Sequence, residues 1–400
     1  MNKTEPLISI RSRFKSDWRW ADFNSYMLIG LIFSVPFSTS LSSILAVVIL
    51  AGWLLKGDFK SDWDQIKSSQ IVIACFLFLG LHIAGLLWTS DLMHGLAVLK
   101  KQWKFLLIPI AMCCVKKEHV SFYIGSLILA MTISVMISYG IWLEIIPPTG
   151  KGPVDNPVPF GTHITYNVLL AIAIYLMARS MLFDARPSSV LQGSYLLILA
   201  MMVVNMFITG GRSGQVMFFA AVAVLCFQFF RGQFFKAGVA SVVIVLSILV
   251  AAFSFSDLFR QRFLGAVNNS HVSTQERLAY AVGGLKIFAR HPLTGVGTGD
   301  LPAALKKVDP HQKPRFYAGN PHNMYIMVLV RFGILGLASL LYIFYVQIRH
   351  ALGTRHVTLR QVGVAIPLLF IVVNFGESYL SVHATSLLFA AFSSFLYKDL

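Results

Sequence analysis

Long apolar runs broken by short polar and basic stretches dominate this chain. A helix needs about 20 mostly apolar residues to cross a bilayer. The runs predict spans at residues 24–37, 40–55, 70–88, 92–115, 120–146, 163–183, 191–209, 213–231, 237–255, 322–348, 361–375 and 379–397. The expected fold is an all-α polytopic membrane protein with about 12 transmembrane helices. The first pair and the eleventh span are short, and the first part of 92–115 is basic and amphipathic. The first run leads into the second without a small-residue cleavage pattern, so it reads as an uncleaved helix.

The polar stretches supply orientation. With the N-terminus inside, the inner loops carry Arg11, Arg13, Lys15, Arg19, Lys56, Lys60, Lys67, Lys116, Lys117, Arg179, Arg186, Arg231, Lys236, Arg349, Arg355 and Arg360. The short outer loops then carry only Lys151 and Arg212. Basic residues concentrate on the cytoplasmic side of membrane proteins, so both termini are expected there. The domain plan is a cytoplasmic segment 1–23, helices over 24–255, an outer loop 256–321, and helices with a short cytoplasmic end over 322–400. The outer loop is long and basic, and long loops cross the membrane regardless of charge. A structureless loop of this length is unusual unless it is functional or disordered. Residues 275–289 read as an amphipathic helix with Leu278, Val282, Leu285 and Phe288 on one face, and 301–308 as a second. A small helical cap on the outer membrane surface is expected between the ninth and tenth spans.

Composition narrows the class. The chain is 56% hydrophobic and 12% charged, with a mean hydropathy of +0.70. Soluble domains carry about 25% charged residues, which excludes an ordinary soluble enzyme. A net charge of +16 would suggest nucleic acid in a soluble protein. Here the cations lie between apolar runs, and orientation and anionic lipids explain them better. Cys75, Cys113, Cys114 and Cys226 sit in apolar stretches without a C-x-x-C pair, so neither zinc nor a disulfide framework is indicated.

The candidate chemistry clusters at the outer ends of spans. Arg212 lies in the turn Thr209-Gly210-Gly211-Arg212-Ser213-Gly214. Such a turn can expose backbone N–H groups beside a helix N-terminus, and a guanidinium there suits phosphate; a plain snorkelling arginine would not need the glycines. His322 opens the tenth span, with Asn320 as expected N-cap and Pro321 at the first helical position. A neutral histidine is the usual general base near pH 7; the alternative is a boundary histidine bonded to the cap. Arg277 and Arg290 bracket the loop helix as further phosphate ligands, although a helix-end arginine can be merely solvated. The stretch 291–299, His-Pro-Leu-Thr-Gly-Val-Gly-Thr-Gly, follows no strand, so it reads as a turn fixing the cap rather than a nucleotide loop. Lys100, Lys101 and Lys104 either draw in an anionic headgroup or snorkel. Arg331, nine residues beyond His322, is an intramembrane candidate. Asp62-Trp63-Asp64 reads as a solvated inner loop. The outer acids Asp91, Asp155, Asp257, Glu276, Asp300, Asp309 and Glu377 are scattered, and the histidines form no H-x-x-x-H set, so no metal site is expected. An outward site with arginines, a base and no nucleotide supply needs a donor that carries its own leaving group, which fits a polyprenyl-diphosphate-linked glycan.

The Thr209–Gly214 turn, the Arg277…His291-Pro292…Gly295-Val296-Gly297 stretch, and His322-Asn323 followed by Phe332-Gly333-Ile334-Leu335-Gly336 resemble the O-antigen ligase and polymerase superfamily. The resemblance implies a GT-C-like helical fold in the bacterial inner membrane. It implies metal-independent transfer of O-antigen polysaccharide from undecaprenyl pyrophosphate to a lipid A–core sugar at the periplasmic face, with no cofactor. Its arginine and histidine positions match Arg212, Arg277 and His322. Gly211, where relatives often have serine, and Arg331, where an acid or neutral residue is expected, depart from the pattern. Alternatives are a polysaccharide polymerase with the same donor, distinguished only by acceptor, and a lipid-linked oligosaccharide flippase, which would spread polar residues along the bundle interior. The expected partners are the lipid-linked glycan, the lipid A–core acceptor and membrane lipids.

Overall fold

A backbone removed from water must pair its own N–H and C=O groups, and a helix does so within one segment. The apolar runs accordingly fold as helices in the computed structural model, which describes residues 8–149, 156–184, 188–257, 259–261, 264, 272–308 and 320–398. Lys151, Asp155, Arg186 and Asp309, named above, lie outside the described residues, as do Arg262, Lys313 and Arg315 of the basic outer loop. In chain order the α-helices are α1 (Ile8–Ser34), α2 (Thr39–Lys56), α3 (Phe59–Ser68), α4 (Gln70–Ala84), α5 (Leu92–Lys100), α6 (Lys104–Met112), α7 (Val120–Trp142) and α8 (His163–Phe183). They continue as α9 (Ser189–Ile208), α10 (Arg212–Phe229), α11 (Phe234–Phe255), α12 (Val272–Arg290), α13 (Leu301–Val308), α14 (Met324–Gly353), α15 (Val357–Val373) and α16 (His383–Leu396). No strand occurs among the described residues.

The chain is a multi-pass helical protein. Among the described residues seven helical stretches are long and apolar enough to span a bilayer, and α3 with α4, bent by 82° at their junction, makes an eighth. Several expected spans differ from single straight helices. The 92–115 run is broken into α5, a 3-10 turn at Lys101–Trp103, and α6. The last two spans are the shorter apolar helices α15 and α16. Asp62-Trp63-Asp64 is not a solvated loop: it lies on α3, where buried Asp62 accepts from Trp53 Nε1 at 2.8 Å and from Lys56 Nζ at 2.6 Å. A carboxylate this well partnered costs less to bury than to leave unpaired.

The bundle is built around α8. It contacts α7, α9, α10, α15 and α16, and 72% of its apolar window is buried, against 11% for α11. A helix that is hydrophobic all round belongs inside, and its polar groups find partners. Tyr166 donates to Asn205 Oδ1 at 2.7 Å, and Arg179 bonds Asp184 at 2.7 Å and Gln361 at 2.9 Å.

The loop before α14 supports its first turns. α12 runs alongside α14, with Gly284 against Ile326 and Val330. Its buried residues are Tyr280, Gly283, Gly284 and Ile287, whereas Leu278, Val282 and Leu285 are exposed. The apolar face read from the sequence therefore points away from the bundle, because close approach to α14 selects the glycine face. The 291–299 stretch then inserts between α4 and α14. Val296 and Gly297 donate to the carbonyls of Val330 and Arg331 at 2.9 and 3.0 Å, and Thr298 Oγ1 donates to His82 O at 2.7 Å. Asp300 completes the clasp, accepting from Thr89 Oγ1, Ser90 N and Asp91 N at 3.0, 2.7 and 2.9 Å. Opposite this insertion α14 is kinked at Gly333, whose φ of 61° and ψ of −150° suit glycine alone. The kink lets Ile334 N–H reach Pro292 O at 2.8 Å.

Candidate functional site

Two turns, one before α10 and one before α14, border the loop between α15 and α16. The first is Thr209–Arg212. Thr209 Oγ1 donates to Asn167 Oδ1 at 2.7 Å, and the Gly210 N–H donates to Asn156 Oδ1 at 2.9 Å. The expectation that this turn exposes its N–H groups is thus corrected at Gly210, which is occupied. Gly211 and Gly214 serve another purpose. Each lies so close to α8 that a Cβ would overlap Asn167, so the glycines let α10 start flush against the central helix. Arg212 is the first residue of α10 and is half-buried. Its neighbour Ser213 packs on Gly376 and hydrogen-bonds the Tyr379 hydroxyl, tying this turn to the loop between α15 and α16.

The second turn holds His322. Asn320 and Pro321 do not start the helix, contrary to the sequence reading. The N-cap is Asn323, whose side chain accepts from Tyr325 N and Ile326 N at 3.0 and 3.1 Å. Asn320 instead accepts the His322 N–H at 3.2 Å and donates to Glu377 Oε1 at 2.8 Å. His322 therefore precedes the helix, with φ +52°. That left-handed conformation is uncommon outside glycine but tolerated by histidine. It turns the imidazole toward Glu377, and Nδ1 lies 2.5 Å from Glu377 Oε2.

Glu377 is the residue that the sequence reading passed over. It is buried to 3% exposure, while the His322 side chain keeps 33%, so the imidazole is the member of the pair that a substrate can reach. Burial acts to raise the Glu377 carboxyl, but His322, the Ser378 N–H and the Asn320 amide outweigh it and hold the group below its ordinary value. An ionised carboxylate only accepts hydrogen bonds. Nδ1 must then carry the proton, which leaves Nε2 as the basic nitrogen. A signal for Glu377 did exist: it is the one acid between Asp309 and Asp399, and a lone acid among apolar spans is functional by default.

Arg277 joins the same end of the bundle. It lies on α12 within electrostatic reach of Tyr379, and three residues on Tyr280 sets its ring 6.1 Å from that of His322. The Arg212 turn, through Ser213, together with Arg277 and His322 thus borders the 374–382 loop. Arg290 does not: it is 13 residues further along α12, about 20 Å by helix rise, and exposed. Lys100 and Lys101 are exposed, whereas Lys104 is buried, donating to Lys101 O at 2.6 Å. Arg331 is buried at the Gly333 kink, and its Nε has no hydrogen-bond partner. Among the described residues no three His, Cys, Asp or Glu side chains gather as metal ligands. Among the described residues the charged groups bordering this loop include two arginines, an imidazole and a carboxylate, groups that can neutralise an anion and move a proton beside it.

Residues 197–343 match the family model described as O-antigen ligase. The match supports the O-antigen ligase and polymerase family, whose members are membrane glycosyltransferase-like enzymes. It spans Arg212, Arg277 and His322, and stops before Glu377. No curated protein matches the chain.

Proposed function

We propose, from the O-antigen ligase match as premise, that the chain transfers O-antigen polysaccharide from undecaprenyl pyrophosphate to a sugar hydroxyl of lipid A–core. The observation that carries this reading is the His322–Glu377 pair beside Arg277 and the Arg212 turn. Arg212 and Arg277 hold the diphosphate and offset the charge that develops as it leaves. His322 Nε2 takes the acceptor hydroxyl proton while that oxygen attacks the anomeric carbon. The new C–O bond forms as the bond to the diphosphate breaks on the opposite face, which inverts the anomeric centre. Undecaprenyl diphosphate departs with the bonding pair, and the proton on His322 passes to water. Glu377 keeps Nδ1 protonated and stabilises the imidazolium, as a carboxylate does for a catalytic histidine. Guanidiniums supply the electrostatics, so no metal is assigned. The charge asymmetry of the loops supports an inner-membrane protein with both termini cytoplasmic and this site, its 256–321 cap included, on the periplasmic side. A GT-C-like arrangement of the helices belongs to the same reading. Lys100 and Lys101, both exposed, are assigned to guiding anionic substrate along the surface, buried Lys104 to holding the turn at Lys101, and Arg331 to holding the kink.

Reconstitution in vesicles tests the proposal. Undecaprenyl-pyrophosphate glycan is offered with lipid A–core or with a second donor molecule as acceptor. The expected product is glycosylated lipid A–core, with His322→Ala slower by roughly 10²- to 10⁴-fold. Elongation of the second donor alone would assign a polymerase, and full transfer by His322→Ala would remove the base.

A further inference from the structure

A large cavity lies at the other end of α14. Its volume is about 1140 Å³, and Lys117, Arg349, His350, Arg355, His356 and Lys398 line it. Among its described lining residues there is no Asp or Glu. Close by in sequence, Asp62 is engaged by Lys56 and Asp64 by Lys67, and Glu118, beside Lys117, is exposed and does not line the cavity. Two helices also begin here. α4 starts after Ser69 and α15 after His356, and neither residue's side chain caps its helix. Unbonded N–H groups of a first turn add positive potential to that of the side chains. Deeper in, Ile71, Met112 and Leu359 give the cavity an apolar wall.

The chemistry that this combination recognises is a phosphate carried on a larger, partly apolar body. Typical small-molecule pockets measure about 300–1,000 Å³, so the space exceeds what bare phosphate requires. Basic recesses between membrane helices bind lipid headgroups. We infer that the cavity is a binding site for the phosphodiester headgroup of an anionic membrane lipid, in the leaflet opposite His322. The site is separate from the proposed glycan chemistry: the rise from the first residue of α14 to Gly353 is about 44 Å, shortened only by the kink at Gly333. Nothing in the lipid assignment depends on what His322 does.

A soluble phosphate compound offers the same anionic group, and the test separates the two sources. The full-length protein is placed in phosphatidylcholine nanodiscs, and binding of a fluorescent phosphatidylglycerol is titrated. Arg349→Gln/Arg355→Gln removes two exposed cations of the cavity, and Lys60→Gln/Arg231→Gln removes two exposed cations outside it. The cavity variant is expected to bind roughly tenfold to thirtyfold more weakly, with the control unchanged and both variants melting like the parent in pure phosphatidylcholine. Equal weakening in both variants, or in neither, would overturn the site. Inorganic phosphate at millimolar concentration is expected to leave the lipid bound. Displacement of the lipid from the parent by that phosphate would overturn the lipid assignment in favour of a soluble anion.

Discussion

At His322 the imidazole meets a carboxylate from a loop 55 residues further along the chain. Glu377 lies between α15 and α16, and its carboxyl is held below the ordinary glutamate value despite burial. The contact therefore stabilises the fold fully above that ordinary value, and the contribution is lost as pH falls through the lower, folded value. Near neutral pH Glu377 is ionised and fixes the histidine tautomer. Glu377→Gln presents an amide that can donate to Nδ1, so the proton moves to Nε2 and the base is lost. Glycan transfer per folded molecule is expected to drop roughly 10²- to 10⁴-fold, alongside a lower melting temperature from the lost contact, and Glu377→Asp should recover part of the transfer. A Gln variant as fast as the parent would assign Glu377 to folding alone.

Among the elements, the clasp between 291–300, α4 and α14 combines close backbone contacts with the Thr298 and Asp300 side chains, which makes it sensitive to single atoms. At Gly333 a Cβ would overlap the Leu293 carbonyl, and the positive φ penalises any side chain. Gly333→Ala should cost about 1–3 kcal/mol, seen as a lower melting temperature. Gly80→Ala, with open space around the new methyl, should melt as the parent does. Asp300 gives a second handle. Burial pushes its carboxyl up, but the Ser90 and Asp91 N–H groups and the Thr89 hydroxyl pull it below its ordinary value. The clasp is therefore at full strength above that ordinary value and loosens as pH falls through the lower folded value. Asp300→Asn should weaken it by about 1–2 kcal/mol. Hydrogen exchange at the amides of 89–91 would rise, and protection equal to the parent would rule out Asp300 as the anchor.

For the whole molecule, the topology has a direct test. In a variant lacking the four native cysteines, all buried, Leu293→Cys and Lys60→Cys each place a thiol at an exposed position. An impermeant maleimide is expected to label Leu293→Cys in intact spheroplasts and Lys60→Cys only after lysis; the reverse pattern would invert the protein. Apolar run length and loop charge made the helical, multi-pass class legible, since both are local quantities that the bilayer reads directly. The Thr209–Arg212 turn and His322 stood out because glycines, proline and histidine are rare signals at the ends of apolar runs. The Gly333 kink, the buried face of α12 and the break in 92–115 were hidden, because helix-to-helix contact decides them and hydropathy does not. Glu377 shows the division most plainly. Its isolation was written in the chain, but its meaning was not. Only the packing of α15 against α14, with Met324 N–H bonded to Asn374 O at 2.9 Å, brings that carboxylate to the histidine, and no pattern along the sequence encodes a distance across it.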